Sequence, residues 1–437
     1  VPTTTGTPSR CPSCAHDLVP PEVGTVSWCP ACRWNLEVYD VALAPWRGTR
    51  AIGRWGFRRG LKLDRSTHEQ LLADPQGREA GASTGEVWLL AVSVVLALLG
   101  VAALGHLGWL VVASDLSPGI RLVLAIPAVL VLLLVKPSFG RVPRHGLITE
   151  RAAPELHRLV REVADAAGTP VPDVICADLS INAGVAQLGW RQRSVLVIGI
   201  PLWVMLPRAA RVSVLAHELG HLANGDPLRV RWTLPARTFG ARAVAATGGR
   251  NPWRRALGTA DSLAERQSGL VVLLGMAVHA TIALVNVVGA TMQLLVDSVA
   301  MPDSRRAEYR ADLVARRVAG TAPFLRSSET VLLADRIWRD LWHLAPRIDG
   351  EQLEELAAEA RQRLAVQLPL ARQVSRRATD LWSTHPSEDL RMRLIEALPD
   401  VDGTLRVDDT RWAAIDTELK PWRRAAHHAL LGTRDRF

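Results

Sequence analysis

The chain has 437 residues, of which 48% are hydrophobic and only 22% charged, with a formal charge of +9. That length holds two or three units, and the apolar share exceeds what an ordinary soluble enzyme core needs, so membrane spans are expected. The charge alone does not distinguish anionic headgroups from nucleic acid as a partner.

Residues 1–40 form a polar cysteine module without an apolar core segment, so no secretory signal is expected there. Cys11-Pro-Ser-Cys14 and Cys29-Pro-Ala-Cys32 are two Cys-x-x-Cys knuckles separated by fourteen residues. Four thiolates suit one tetrahedral zinc ion and leave no position for water or substrate, which makes the site structural. So short a module buries too little to fold without metal. Disulfides are the competing reading, but each knuckle would then close a short strained loop. The fifth cysteine, Cys176, reads as a buried strand residue.

Residues 41–85 read as a basic linker carrying Arg47, Arg50, Arg54, Arg58, Arg59, Lys62 and Arg65. Two transmembrane helices are expected over 86–136. Val87 to Ala113 is uncharged for 27 residues, beyond the roughly 20 that cross a bilayer. Trp88 and Trp109 stand about 31 Å apart along a helix, as an interfacial aromatic pair would. The apolar run Leu122 to Val135 has 14 residues and reaches spanning length only if Leu116 to Arg121 are included and Arg121 snorkels. Lys136, Arg141 and Arg144 follow, while Arg121 stands alone between the spans. The positive-inside bias therefore places both flanks in the cytosol, a reducing compartment that suits free thiolates.

A further unit is expected over 137–400. Ala152 to Ala167 predicts an amphipathic helix and Asp173 to Ala177 a strand. Ile181 to Leu188 and Ser194 to Ile200 predict two further strands joined by a turn. An edge strand there would pair with an extended peptide through main-chain hydrogen bonds. Next comes His217-Glu218-Leu219-Gly220-His221, preceded by Val212, Leu215 and Ala216 at helical spacing and ended by Asn224-Gly225. Histidines at i and i+4 aim two imidazoles at one point, and Glu218 is placed to take a proton from an activated water.

Leu228 to Arg250 carries too many arginines to cross a bilayer, whereas Gly269 to Ala300 is apolar for 32 residues. Ligands of one zinc must lie on one side, so this stretch is expected to return as a helical hairpin turning near Asn286. His279, Asn286 and Asp297 favour its partial burial in protein. Glu308 is the best third ligand, and Asp312 on the same helix face would accept a hydrogen bond from a ligating imidazole. Glu351 to Arg377 predicts a long charged helix, and residues 401–437 read as a C-terminal tail.

The ordered set His217-Glu-Leu-Gly-His221 with Asn224 and Asp226, Ser304-Arg-x-x-Glu308-x-x-x-Asp312, and Thr384-His385-Pro386 with Arg391 resembles the HtpX-type membrane metalloproteases and CAAX prenyl endopeptidases. Ile181-Asn182-Ala183-Gly184 resembles that family's substrate-facing strand, although the chain continues with Gly184-Val185 where the family has an aromatic residue. The resemblance implies a gluzincin-like fold that is mostly α with a small β-sheet (α+β): an integral membrane zincin-type domain, here with an added zinc ribbon. It implies His217, His221 and Glu308 as ligands of a catalytic zinc and Glu218 as general base. It further implies His385 and Arg391 as cleft residues that bind substrate or stabilise the oxyanion, and Asn182 and Ala183 as substrate-binding.

The reading is a membrane-anchored zinc endopeptidase with one catalytic and one structural Zn2+, acting on membrane or membrane-near polypeptides in quality control or processing. Its partners are polypeptide substrates and membrane lipid, and it sits multi-pass in the cell (inner) membrane with ribbon and active site in the cytoplasm. The competing class is a membrane-tethered binding protein with an inactive peptidase fold and a partner-binding ribbon. Nucleic acid is disfavoured, since no basic residue lies between Cys11 and Cys32.

Overall fold

The computed structural model describes residues 10–19, 26–40, 50–74, 84–136, 139–223, 227–246, 269–344, 346, 350–377, 380–381, 383 and 385–432. The chain forms two units, one of residues 1–78, 140–225 and 304–437 and another of residues 79–139 and 226–303. Helix dominates both, and the described strands form one small sheet.

The first unit holds that sheet. Strands β1 (Val174–Asp178), β2 (Ala183–Leu188) and β3 (Arg193–Gly199) take the order β1-β3-β2, with β3 parallel to β1 and antiparallel to β2. β2 is therefore an edge. Against the sheet pack α4 (Pro154–Ala167) and α6 (Arg208–Ala223), the latter following the short apolar helix α5 (Ile200–Met205). Leu156, Leu159, Val160 and Val163 recur at helical spacing on α4 and are fully buried with Leu196, Leu215 and Leu219. Each such side chain contributes about 1.5–3 kcal/mol relative to exposure.

Three expectations are corrected in this unit. Residues 50–73 of the expected linker form helix α1 (Arg50–Ala73), with Gly56, Phe57, Gly60, Asp64 and Thr67 buried. Those positions repeat every three to four residues, a stripe hidden by the arginines between them; Arg47 lies outside the described residues. The long helix over 351–377 is broken into α10 (Leu353–Leu364), one 3-10 turn and α11 (Leu368–Arg377). Pro369 lacks a backbone N–H and fits the first turn of a new helix better than the interior of an old one.

The supposed tail carries α13 (Asp409–Glu418) and α14 (Lys420–Gly432), whose Trp412, Ile415 and Leu419 belong to the main core. Glu418 accepts hydrogen bonds from the backbone N–H groups of Glu155 and Leu156 at the start of α4, where a carboxylate complements the helix dipole. Asp416 pairs at 2.9 Å with Arg211 of α6, a guanidinium stacked against Trp203 and Trp412. α13 thus fixes the helix that carries the His-Glu-x-x-His motif.

In the second unit, α2 (Thr84–Val112) and α3 (Pro118–Val135) contain spans of 28 and 18 residues. Leu98, Val101, Leu104, Val111, Leu122 and Val123 stand exposed on them, as lipid-facing residues do. Arg121 is inside α3 and donates to the carbonyls of Ser114 and Leu116, which satisfies its charge at the helix end. Helix α7 (Pro227–Ala246) follows, and Ala236 packs with Leu89 and Val296.

Gly269 to Ala300 is not a hairpin. It is the first part of one 51-residue helix, α8 (Gly269–Ala319). No proline or glycine pair interrupts Leu, Val and Ala residues around Asn286, so each backbone group keeps its helical partner. The third long apolar helix among the described residues, Val285–Ala319, lies within it. The chain is a membrane protein.

Candidate active site

α6 turns Val212, Leu215, Ala216 and Leu219 into the core, so His217 and His221 fall on its other face. The opposing face of α8 brings Glu308 and Asp312, 5% and 0% exposed. His217 Nε2 and His221 Nε2 are 3.3 Å apart, and each lies 3.6 Å from an oxygen of Glu308. A tetrahedral ion with bonds of about 2.0–2.1 Å needs donors about 3.3–3.4 Å apart. The two imidazoles and one carboxylate therefore fit a zinc ion with an open fourth position.

The imidazole of His217 is oriented by Asp312, whose Oδ1 lies 3.0 Å from Nδ1. Donation from Nδ1–H to that carboxylate frees Nε2 for metal. Arg391 Nη2 is also 3.4 Å from Nδ1, but two donors cannot satisfy each other, so we assign the Nδ1 proton to Asp312. Arg391 instead forks onto both oxygens of Asp312 and reaches Glu388 at 2.9 Å. Without metal, burial opposes a charge on His217, but hydrogen bonds to Asp312 and Glu308 outweigh it and push its pKa up to about 10. Burial and the neighbouring His217 charge pull His221 down.

His385 Nδ1 is 2.7 Å from Glu308 Oε2, so this half-exposed ring sits beside that carboxylate. A cleft of about 430 Å³ runs past His217 and Glu218. Its wall includes Asn182, Ala183, His385 and Arg391, together with Leu202 and Phe324. Gly184 is not among the lining residues, and a Cβ on it would meet nothing within 4 Å. Ser213, Ser327 and Ser328 also line the cleft, and sequence reasoning missed them. Ser213 lies four residues before His217, a spacing that placed it on the same face; nothing in the sequence marked the other two. Arg391 has its guanidinium engaged with Asp312 and Glu388, which makes it a support of His217 as well as a cleft residue. Asn224, Asp226 and Thr384 lie outside the described residues.

Cys11, Cys14, Cys29 and Cys32 converge as free thiols, with Sγ atoms 3.5 Å apart for Cys11 and Cys32 and 3.4 Å for Cys14 and Cys29. One tetrahedral zinc with Zn–S bonds of about 2.3 Å needs sulfurs about 3.8 Å apart, and the four thiols fit it. Trp28 and Leu36 of the same module are buried. The module docks on α11, where Gln373 and Arg377 donate to the carbonyls of Pro30 and Val26 and Arg376 pairs with Glu37. Cys176 is buried in β1, as expected.

Residues 150–398 match the family model described as Peptidase family M48. The chain belongs to that family. Among its relatives is a "Protease HtpX homolog" of Pyrococcus abyssi, 31% identical over 182 residues, which are 42% of this chain and 57% of the relative. The protein of the same name from Pyrococcus furiosus is 30% identical over the same shares. One from Syntrophobacter fumaroxidans is 27% identical over 57% of this chain and 78% of its own length. The chain thus spans little more than half the length of the two Pyrococcus relatives. No solved structure matches it.

Proposed function

We propose that this M48 member is a zinc-dependent endopeptidase anchored in the membrane, with His217, His221 and Glu308 holding the catalytic ion. The observation that carries the reading is the spacing of those three donors, 3.3 to 3.6 Å, beside a cleft that also contains Glu218. When bound, zinc supplies Lewis acidity toward a peptide carbonyl and its attacking water. Glu218 takes the proton of that water and returns it to the leaving amine. Asp312, held by Arg391, keeps His217 in the ligating tautomer. His385 and Arg391 contribute positive or hydrogen-bonding character where oxyanion charge develops. The edge strand β2, starting at Ala183 beside the cleft, binds an extended polypeptide by main-chain pairing with little regard for sequence.

The second zinc belongs to the four-cysteine module and is structural. Substrates are membrane or membrane-near polypeptides, cleaved in quality control or processing. Arg54, Arg58, Arg59, Lys62 and Arg65 precede α2, and Lys136, Arg141 and Arg144 follow α3, which supports a cytoplasmic ribbon and active site in the inner membrane, next to anionic lipid.

Glu218→Gln tests this reading. The variant should keep both zinc ions and lose cleavage of an unfolded polypeptide such as casein by about 10²-fold or more; undiminished cleavage would exclude the mechanism.

A further inference from the structure

We infer that α1, which precedes the membrane helices and lies outside the family match, is a working part of the peptidase unit, with Asp64 as a positioning residue for the metal centre. Asp64 is 1% exposed and forms an ion pair with Arg305, which is 0% exposed. Arg305 sits on α8 three residues before Glu308 and seven before Asp312, so all three share a face. The other carboxylate oxygen of Asp64 accepts the backbone N–H of Ser387 at 3.4 Å. Ser387 follows His385 by two residues and is the N-cap of α12 (Glu388–Glu396), the helix that carries Arg391. One buried carboxylate therefore ties the ligand helix to the segment that supplies His385 and Arg391.

The rest of the contact has the same character. Leu381 donates its N–H to the carbonyl of Gly56 at 3.0 Å, and Arg305 donates to the carbonyl of Asp380. A Cβ on Gly60 would lie 2.4 Å from the backbone of Asp380, so α1 presses directly on the chain leading to His385. His385 in turn hydrogen-bonds Glu308, and Arg391 holds Asp312. An exposed linker has no reason to bury an acid; a brace between two halves of a metal site does.

The inference rests on the endopeptidase reading, and its test separates the two. In full-length protein purified in detergent, Asp64→Asn should weaken the catalytic zinc at least about ten-fold in chelator competition while leaving the four-thiolate zinc unchanged. Its kcat on casein should fall at least about ten-fold with KM within about two-fold, and in an H385A background that effect should shrink to below about three-fold. Should Asp64→Asn fail to fold, the D64N/R305Q pair removes both buried charges together and should fold with the same losses. Zinc affinity unchanged in the folded variants, or a D64N effect that multiplies fully with H385A, would overturn the inference. Weakened zinc in a protein whose wild type never cleaves casein would uphold the brace and retire the endopeptidase reading.

Discussion

Gly220 of α6 packs against Ala311 of α8 so closely that a Cβ at position 220 would stand 3.1 Å from the Ala311 Cα. The contact sets how near the histidine helix comes to the helix bearing Glu308 and Asp312. Replacing Gly220 with Val must push the helices apart, at a cost of about 1–3 kcal/mol. The expected outcome is a folded protein with catalytic zinc weakened by about ten-fold or more, measured by chelator competition against wild type.

Asp312 is fully buried between His217 and Arg391. Asp312→Ala releases the imidazole and leaves the buried Arg391 guanidinium with Glu388 as its remaining carboxylate partner, which destabilises by up to about 3–5 kcal/mol. Thermal unfolding should record that loss, together with a drop of about 10–100-fold in zinc affinity. The double change Asp312→Ala with Arg391→Met should recover stability but not zinc binding.

The His217 shift fixes a pH dependence. In the metal-free protein its pKa is raised to about 10, against about 6.5 in the unfolded chain. The folded state therefore binds more protons between those values. Its contribution to stability is complete below about pH 6.5 and is lost as pH rises toward about 10, by at most about 1.4 kcal/mol per unit. Zinc must displace that proton, so catalytic-site affinity should rise up to about ten-fold per pH unit in the same window. Titration calorimetry in buffers of different ionisation enthalpy measures the released proton.

Gly184 on the edge strand faces open space. Gly184→Phe should change stability by less than about 1 kcal/mol, because the ring meets no neighbour at its root. It should leave the set of cleaved casein bonds unchanged, since side chains alternate along a strand and Ala183 lines the cleft while Gly184 does not; mass spectrometry of the products would read any shift.

The parts of this molecule that were legible in the sequence are those whose chemistry fixes a spacing. Cys11, Cys14, Cys29 and Cys32 announce four thiols that converge, and His217 with His221 two imidazoles on one helix face that do the same. Glu308 and Asp312 were readable because their spacing puts both carboxylates on one helix face, which meets those imidazoles. Asp64, Trp412 and Glu418 were not. Their role depends on which distant helix they meet, and the charged residues beside them made α1 and α13 look like linker and tail. The unbroken α8 was missed because the demand that one zinc's ligands share a side was placed on a single apolar stretch, and that demand says nothing about where a helix breaks. Ser327 and Ser328 carry no signature, since a cleft hydroxyl and a core hydroxyl look alike in sequence.

The most direct measurement is zinc stoichiometry in full-length protein after dialysis against a mild chelator, for wild type, Glu308→Ala and Cys11→Ser. Three convergent donors from α6 and α8 and four thiolates from the ribbon predict two ions in the first and one in each variant, with casein cleavage abolished by Glu308→Ala. Two zinc ions retained by Glu308→Ala, with cleavage intact, would contradict the metal centre assigned to His217, His221 and Glu308.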